Sequence, residues 1–473
     1  MRSKRTWAML FLALMIMGLI EGGLRTGFAA AAHPGYYRPL EFADMDLEDP
    51  ASPWCWQRSR ESEHFICFWE RGFGEDPAAA PAPYAVDTAD LLDKAERFWH
   101  TNVDQARMAD PAASQLSRYK MQIYLVYTLD WVAAGAGYDN VIGALWISPP
   151  ACRPAGRVVA HEIGHCFQYQ VYCDQLLSGA ADDGRHGFRY GYTGSNGGNG
   201  LWEQCAQWVS FLDDPEGRIA EMGMWPRLCN LAFEHEWTRY ESYWLQQYWT
   251  LLHGPAALGR IWRESAWPED ALAAYTRLFL QGDIEKRNDM LFSYAAAMAA
   301  GELLPDRAAW DLSLFAPALY RTDDGWLQIG YAGCPGVGGF NIIPLEGSAR
   351  IQFQGLPTGA PLCSDDPGLY RVTGPDGEPA IGGQLKNYNR SDVPLGWRYG
   401  VITMENAGCI LHEIHRDAQG DILFQMPEGC EGAYLLVVGT PGEATVNPWD
   451  DDERTDVQCP YRIRLDALSA LDE

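Results

Sequence analysis

The segment RVVAHEIGHCFQYQ, residues 157–170, constrains the fold of this chain more than any other stretch. Its apolar residues recur every three to four positions, which predicts a helix with a buried face. Because a helix turns by about 100° per residue, His161 and His165 lie one turn apart on one side, where their ring nitrogens can converge on one ion. The fold must therefore bury this helix and face both histidines toward a cleft or a second element.

The HExxH spacing of this segment is typical of zinc hydrolases. Zinc suits neutral imidazoles, and a catalytic zinc site leaves one position open for water. Glu162, offset from the histidine face, is placed to accept the proton of that water as it attacks a carbonyl. The alternative is a buried helix whose two histidines are satisfied by hydrogen bonds inside the core.

A third metal ligand is predicted at Glu203, in the first turn of the helix-like segment GLWEQCAQWVSF. Two histidines and one glutamate form the ligand class of thermolysin-like sites. An acid in a first helical turn can instead serve only the helix dipole, so this alternative stays open. The longer HExxHxxGxxH motif is absent, because CFQYQVYCD follows His165. Its absence argues against the metzincin branch of zinc peptidases.

The N-terminus predicts export. The basic start MRSKR precedes the apolar run WAMLFLALMIMGLI, which is short for a membrane span, and small residues suited to signal cleavage follow. We expect a signal peptide over residues 1–32 and a secreted or periplasmic mature chain with no membrane span; an uncleaved anchor is the alternative. The net charge of −27 argues against nucleic acid and anionic membranes as partners.

The chain contains twelve cysteines. An even set of cysteines in an exported chain predicts disulfide bonds for most of them. No CxxC pair occurs, so we expect neither a cysteine-based zinc site nor a redox motif.

The sequence changes character near residue 310. Before that point helix-like patterns dominate, with short strand-like runs in SEHFICFWE, KMQIYLVYT and GALWISPP. Beyond it, short runs rich in β-branched and aromatic residues, such as ARIQFQG and AYLLVVGTP, alternate with Gly and Pro. We predict an α+β fold, in which an α+β domain over residues 40–310 precedes a smaller all-β, sandwich-like domain over residues 315–473.

The segments AHEIGHCFQYQ and GLWEQCAQW together resemble the gluzincin clan of zinc metallopeptidases, in which an HExxH helix meets a glutamate on the next helix. SEHFICFWE, FNIIPL and AYLLVVGTPGEATVNPW further resemble a group of exported proteins with a gluzincin-like domain and a C-terminal β domain. The resemblance implies that residues 40–310 form a zincin-like catalytic domain.

The resemblance also implies roles for individual residues. His161, His165 and Glu203 would hold one zinc ion, and Glu162 would be the general base. Many clan members carry an aspartate four residues after the ligand glutamate, and it supports the first histidine. Here that position is Gln207, so the surroundings of the metal must differ from that pattern.

Two further elements of a peptidase site have candidates. In the clan an edge strand lies antiparallel to the bound peptide, and GALWISP, residues 143–149, is implied in that role; an ordinary core strand is the alternative. The developing oxyanion needs a hydrogen-bond donor. Tyr243 and His235, in the helix-like segment EHEWTRYESYWLQQYW over residues 234–249, are our candidates, with an aromatic core stripe as the alternative.

The acidic run NPWDDDERTD, residues 447–456, is a weaker metal-binding candidate. Asp450, Asp452 and Asp456 could hold calcium through hard oxygen ligands. The glycine and glutamate of an EF-hand loop are missing, so a solvated acidic loop is the favoured interpretation.

Three classes of function fit these patterns. The first is an exported zinc metallopeptidase that hydrolyses peptide bonds in proteins or glycoproteins through a zinc-activated water. The second is a non-catalytic secreted protein that binds glycans or proteins on a zincin scaffold, and the third is a zinc hydrolase of a non-peptide bond. Intact His161, Glu162 and His165 favour an enzyme over a binding protein. Neither the substrate nor the oligomeric state has a sequence signature.

Overall fold

A computed structural model describes most of the chain. The described residues are 33, 35–179, 200–213, 223, 225–233, 235–266, 269–304, 311–363, 384–386, 394–405, 408–443 and 457–468. The predicted signal peptide over residues 1–32 and the calcium candidate over residues 447–456 lie outside them.

In the described chain, one long helix lies among the first five strands, the other helices follow, and the remaining strands come last. The helices are α1 (Thr88–His100), α2 (Pro149–Cys152), α3 (Arg157–Leu177), α4 (Gly200–Ser210), α5 (Trp244–His253), α6 (Ala256–Glu264), α7 (Ala271–Leu280) and α8 (Ile284–Ala299). The strands of the first half are β1 (Ser59–Glu61), β2 (Phe65–Trp69), β3 (Met121–Leu125), β4 (Ala133–Tyr138) and β5 (Ile142–Ile147). Those of the second half are β6 (Leu319–Arg321), β7 (Leu327–Ile329), β8 (Phe340–Leu345), β9 (Ala349–Gly355), β10 (Pro361–Cys363), β11 (Gln384–Lys386), β12 (Trp397–Glu405), β13 (Gly408–Leu411), β14 (Gln419–Phe424), β15 (Gly432–Gly439) and β16 (Tyr461–Ala467). Within the residues described, no helix has the length and apolar character needed to cross a membrane.

The first sheet has the strand order β1–β2–β3–β5–β4. Strands β2, β3 and β5 run parallel, whereas β1 and β4 each pair antiparallel with their neighbour. Every residue of β2 and β3 is buried, as expected for parallel strands that are covered on both faces. The strands predicted in SEHFICFWE, KMQIYLVYT and GALWISPP are confirmed as β2, β3 and β5.

The two edge strands of this sheet are β1 and β4, so the expectation of an edge at residues 143–149 is wrong. Strand β5 occupies that segment and pairs with β3 on one side and β4 on the other. The alternative of a core strand is therefore correct. The sequence of β4, AAGAGY, consists mainly of alanine and glycine, which carry no strand signal of their own.

Helix α3 packs closely on β4 and on α4 because small residues occupy the contacts. A Cβ atom at Gly135 of β4 would lie 2.0 Å from the backbone oxygen of Glu162 in α3. A Cβ atom at Gly164 would lie 3.2 Å from the Cα atom of Ala206 in α4. These contacts bring the HExxH segment, the edge strand and the start of α4 around one cleft.

Beyond α8 the described strands form antiparallel sheets of order β13–β12–β15–β8 and β14–β9–β16–β7–β6, with β10 and β11 as a short separate pair. Side chains of the two larger sheets contact each other. The rings of Phe353 in β9 and Tyr399 in β12 stack with centroids 3.8 Å apart, and Tyr461 in β16 hydrogen-bonds Asn341 in β8 at 2.9 Å. The protein thus has the α+β fold predicted from its sequence.

The helical part and the β-rich part of the chain share a continuous hydrophobic core. Polar contacts join them as well. The side chain of Asn230 donates to the backbone oxygen of Ala332 at 2.8 Å, and Arg398 of β12 pairs with Glu285 and Asp289 of α8 at 2.6 and 2.9 Å. The cleft around the HExxH segment therefore belongs to a scaffold in which both parts pack together.

Eight of the described cysteines are thiols in this structure: Cys55, Cys67, Cys152, Cys166, Cys229, Cys334, Cys430 and Cys459. Burial raises the pKa of the Cys152 thiol to about 12, so it is protonated at neutral pH. The disulfide bonds expected in an exported chain stay a prediction, which thiol titration of the denatured protein tests.

Candidate metal centre

The two histidines of the HExxH segment converge as predicted. His161 and His165 lie one turn apart on α3, and both are buried. Their Nε2 atoms are 3.0 Å apart, with the two rings at right angles. This helix therefore presents two imidazole nitrogens to one point in the cleft.

Glu203 completes the cluster from the first turn of α4. Its Oε2 atom lies 3.1 Å from Nε2 of His161 and 3.2 Å from Nε2 of His165. The three predicted ligands are thus brought together, and one ligand atom from each lies within 4.8 Å of the others. The cluster could hold a metal ion.

The spacing and chemistry of these atoms fit a small divalent cation. Two ligands at about 2.0–2.1 Å from one tetrahedral ion are separated by about 3.3 Å. The three separations here, 3.0, 3.1 and 3.2 Å, are close to that value. Two imidazoles and one carboxylate suit zinc, and also other first-row divalent metals, so the donor set alone does not name the metal.

The electrostatics of the cluster favour a bound positive charge. Burial opposes ionisation of Glu203, but the nearby His165 and His161 outweigh it and hold the pKa of this carboxyl well below its usual value. Burial likewise opposes protonation of His165, and Glu203 outweighs it, raising the pKa of His165 to about 9. A proton or a metal cation can supply the charge that this arrangement attracts.

Each histidine is held through its other ring nitrogen by a glutamine. Nδ1 of His161 lies 2.8 Å from Oε1 of Gln207, and Nδ1 of His165 lies 2.7 Å from Oε1 of Gln168. Both glutamines are buried. Gln207, four residues after Glu203, is therefore an amide that contacts the first histidine of the pair.

Glu162 lies beside the cluster with its carboxylate fixed by the edge strand. The backbone N–H of Gly135 in β4 donates to Oε2 of Glu162 at 2.7 Å. Glu162 is buried yet borders the cleft. It therefore borders the same cleft as His161, His165 and Glu203, which together form the candidate metal cluster.

The cluster opens into a cleft of about 490 Å³. Its described lining comprises the metal cluster and residues from β4, the turn before β4, the start of α3 and the turn before α5. They are Trp131, Ala133, Ala134, Gly135, Arg157, Val158, His161, Glu162, His165, Glu203, Gln207 and Tyr240. This is room for a short extended segment of a larger substrate.

Tyr240 is the tyrosine that the structure brings to the cluster. Its ring centroid lies 6.0 Å from that of His161, the residue is 47% exposed to solvent, and it borders the cleft. Burial of the hydroxyl, reinforced by the Glu203 carboxylate, raises the pKa of Tyr240 to about 12. The phenol therefore stays protonated at neutral pH and can donate a hydrogen bond.

The sequence candidates Tyr243 and His235 are not brought to the metal cluster. Tyr243 is fully buried, with its ring 5.1 Å from that of Phe211 and 4.9 Å from that of Trp244. His235 borders a separate cavity of about 30 Å³, and its Nδ1 accepts the backbone N–H of Trp237 at 3.1 Å. Neither residue lines the cleft.

Tyr243 and His235 were chosen because the sequence predicts one helix over residues 234–249, and that prediction is wrong. Helix α5 begins only at Trp244, and Tyr240 precedes it in a turn. A helix running through the whole segment places Tyr240 and Tyr243 on one face, whereas the turn separates them. Gln168, by contrast, lies three residues after His165 on α3, so helical spacing alone could have identified it.

Residues 29–470 match the family of unknown function (DUF6055). No curated protein and no solved structure matches the chain.

Proposed function

The chain belongs to the family of unknown function (DUF6055), and we propose that it is an exported zinc metallopeptidase of the gluzincin type, with its site on a zincin-like domain. The observation that carries the proposal is the convergence of His161, His165 and Glu203 in an open cleft, with the Glu162 carboxylate beside them. This donor set matches that of thermolysin-like hydrolytic zinc sites, in which water takes the fourth position.

The chemistry divides between the metal and Glu162. Zinc held by His161, His165 and Glu203 would supply a Lewis acid and would lower the pKa of a bound water to about 7. Glu162 accepts a proton from the attacking water and returns it to the leaving amine. Because the Gly135 N–H holds its carboxylate at 2.7 Å, Glu162 is oriented before substrate arrives.

Tyr240 takes the role of donor to the oxyanion that develops as a peptide carbonyl is attacked. The metal cluster and Tyr240 border the same cleft, and a phenol is protonated at neutral pH, so its O–H can donate a hydrogen bond. A preorganised donor of this kind is worth the most where the site excludes bulk water.

Strand β4 favours an extended peptide as the substrate. It is an edge strand, and the N–H of Gly135 points away from β5 toward Glu162. Because backbone groups alternate along a strand, those of Ala133 and Gly137 also point outward. A substrate strand lying antiparallel to β4 gains main-chain hydrogen bonds there, which suits proteins and glycoproteins better than small non-peptide esters or amides.

Trp131 offers an apolar contact at the start of this edge. The indole is 63% exposed, which is unusual for so large an apolar side chain. Its backbone is nevertheless fixed on both sides by buried Ser148, whose hydroxyl donates to the Asp130 carbonyl at 2.9 Å and accepts the Val132 N–H at 3.0 Å. An exposed indole on a hydrogen-bonded backbone suits contact with an apolar substrate side chain.

The proposal is tested by metal analysis together with hydrolysis assays. Purified protein should contain about one zinc ion per chain and should cleave unfolded proteins or mucin-type glycoproteins at neutral pH. A chelator should abolish cleavage, and added zinc should restore it. A protein that holds zinc and cleaves neither substrate class would support the alternative of a secreted binding protein.

A further inference from the structure

We propose that Gln168 and Gln207 are positioning residues: each amide links one metal-binding histidine to the backbone beside another functional residue, and so sets the tautomer of that histidine. The inference rests on the proposed function in treating His161, His165 and Glu203 as metal ligands. It goes beyond that function in assigning a role to two neutral side chains outside the proposed ligand set.

The first link runs from His165 to the helix that carries Glu203. Oε1 of Gln168 lies 2.7 Å from Nδ1 of His165, and its Nε2 donates to the backbone oxygen of Trp202 at 2.8 Å. Trp202 immediately precedes Glu203. One buried amide therefore ties the second histidine on α3 to the peptide beside the carboxylate ligand on α4.

The second link runs from His161 to Tyr240. Oε1 of Gln207 lies 2.8 Å from Nδ1 of His161, and its Nε2 donates to the backbone oxygen of Tyr240 at 3.2 Å. This amide therefore ties the first histidine to the residue placed to stabilise the oxyanion. The two links share one pattern, although one glutamine comes from α3 and the other from α4.

The pattern determines which ring nitrogen carries the proton. A carbonyl oxygen only accepts hydrogen bonds, so the NH₂ group of each glutamine must face the Trp202 or Tyr240 carbonyl. The amide oxygen then faces the histidine and must receive a proton from Nδ1. In the neutral imidazole Nε2 is left with its lone pair, and the Nε2 atoms are the ones that converge near Glu203.

A carboxylate could not make the same link. An ionised Asp or Glu accepts hydrogen bonds but donates none, so it could hold Nδ1–H of a histidine but would repel the backbone carbonyl on its other side. The amide joins both partners and adds no negative charge beside Glu203 and Glu162. This explains why an amide at position 207 serves where related sites use an acid.

The test measures zinc binding in variants that lack the whole amide and in variants that lack only its NH₂ donor. Gln168→Met and Gln207→Met have similar length but no amide, and zinc affinity should fall by about 10–100-fold in each. Gln168→Glu and Gln207→Glu keep the acceptor for Nδ1–H, and their zinc affinity should return to within about tenfold of wild type. The absorption spectrum of the cobalt(II)-substituted protein should shift in the Met variants, because the histidine rings lose their orientation.

Gln175→Met is the matched control. Gln175 is another buried glutamine of α3, and its amide donates to the backbone oxygen of Arg263 at 3.3 Å without touching a histidine. It should lose stability without a change in zinc affinity or in the cobalt spectrum. Met variants at 168 and 207 that bind zinc like this control would overturn the proposal, as would Glu variants that bind no better than the Met variants.

The two links also make separate predictions for activity. Gln207→Glu frees the Tyr240 carbonyl, so kcat should fall while zinc is retained, and the loss should not add to that of Tyr240→Phe. Full additivity of the two substitutions would contradict the second link. The affinity and spectral results need no substrate, so they decide the proposal even if the wild type cleaves no peptide and the peptidase assignment fails.

Discussion

Glu203 is the residue on which the interpretation of the whole cluster depends. Its two candidate roles, metal ligand and first-turn acid of α4, predict different results for the same substitution. We expect Glu203→Ala to weaken zinc binding by more than about 100-fold, because it removes one of three protein ligands. Glu203→Asp should keep partial occupancy, since the carboxylate remains but is shorter.

The free energy of unfolding of the same variant distinguishes a metal ligand from an acid that only stabilises the helix. If Glu203 only interacted with the helix dipole, its loss would cost about 0.3–1 kcal/mol and leave metal content unchanged. A zinc titration and a denaturant unfolding curve on the same variant distinguish the two roles. Unchanged zinc affinity in Glu203→Ala would remove Glu203 from the ligand set.

Tyr240 and Tyr243 form a matched pair for testing the oxyanion donor. Tyr240→Phe removes the hydroxyl that borders the cleft, and kcat should fall by at least about tenfold with zinc content and KM little changed. Tyr243→Phe alters a fully buried ring and should change stability rather than kcat. Steady-state kinetics on both variants test the assignment, and the reverse ranking of their kcat values would favour the sequence candidate Tyr243.

At the scale of elements, the contact between β4 and α3 sets the position of Glu162. We expect Gly135→Ala to destabilise the protein by about 1–3 kcal/mol, because the new Cβ atom would lie 2.0 Å from the Glu162 backbone oxygen and must displace the helix or the strand. Hydrolysis should fall with it, since the displaced strand no longer holds the Glu162 carboxylate.

The matched control is Gly347→Ala, where a Cβ atom meets nothing within 4 Å. Thermal unfolding and hydrolysis should be near wild type in that variant. A Gly135→Ala protein as stable and active as Gly347→Ala would show that the close approach of β4 to α3 does not matter for the site.

The same contact shows why the sequence predicted the ligands better than the substrate edge. His161, His165 and Glu203 follow from helical spacing and ligand chemistry, which are local properties that the residues themselves carry. Strand β4 consists mainly of alanine and glycine. A larger side chain at Gly135 would collide with α3, so its small size depends on tertiary packing and not on a local pattern. The resemblance implied an edge at residues 143–149, the strand-like run just before the HExxH helix, and the fold places that strand, β5, inside the sheet.

At the scale of the whole molecule, His235 lies where the helical part meets the β-rich part. It borders a cavity together with Asn230, Tyr331 and Cys334, and burial lowers its pKa from 6.5 to about 4. Protonation is thus easier in the unfolded chain than in the folded protein. The contribution of His235 to the free energy of unfolding is full well above pH 6.5. It falls as the pH drops toward 4, by up to about 3 kcal/mol.

His235→Gln tests this prediction because glutamine is polar and does not titrate. Denaturant unfolding of wild type and variant between pH 7 and pH 4, both with chelator, isolates the contribution of His235 from that of the metal cluster. The wild type should lose its advantage over the variant as the pH falls. A difference that stays constant with pH would contradict the burial of a neutral imidazole at this junction.

The α+β class and the change from helices to strands near residue 310 were predictable, because both depend on hydrophobic periodicity. The way the two parts pack was not. Asn230 reaches the Ala332 carbonyl and Arg398 reaches Glu285 and Asp289 across long stretches of chain. Such pairings depend on the assembled fold, and no local pattern in the sequence indicates them.

The most direct test of the central claim is Glu162→Gln, measured beside the wild type for zinc content and for hydrolysis. Glutamine keeps the size of the side chain, and its Oε1 can still accept the Gly135 N–H, but it cannot take a proton from water. We predict a variant that binds zinc as the wild type does and hydrolyses protein substrates at least about 100-fold more slowly. A variant that retains zinc and cleaves at the wild-type rate would contradict the account.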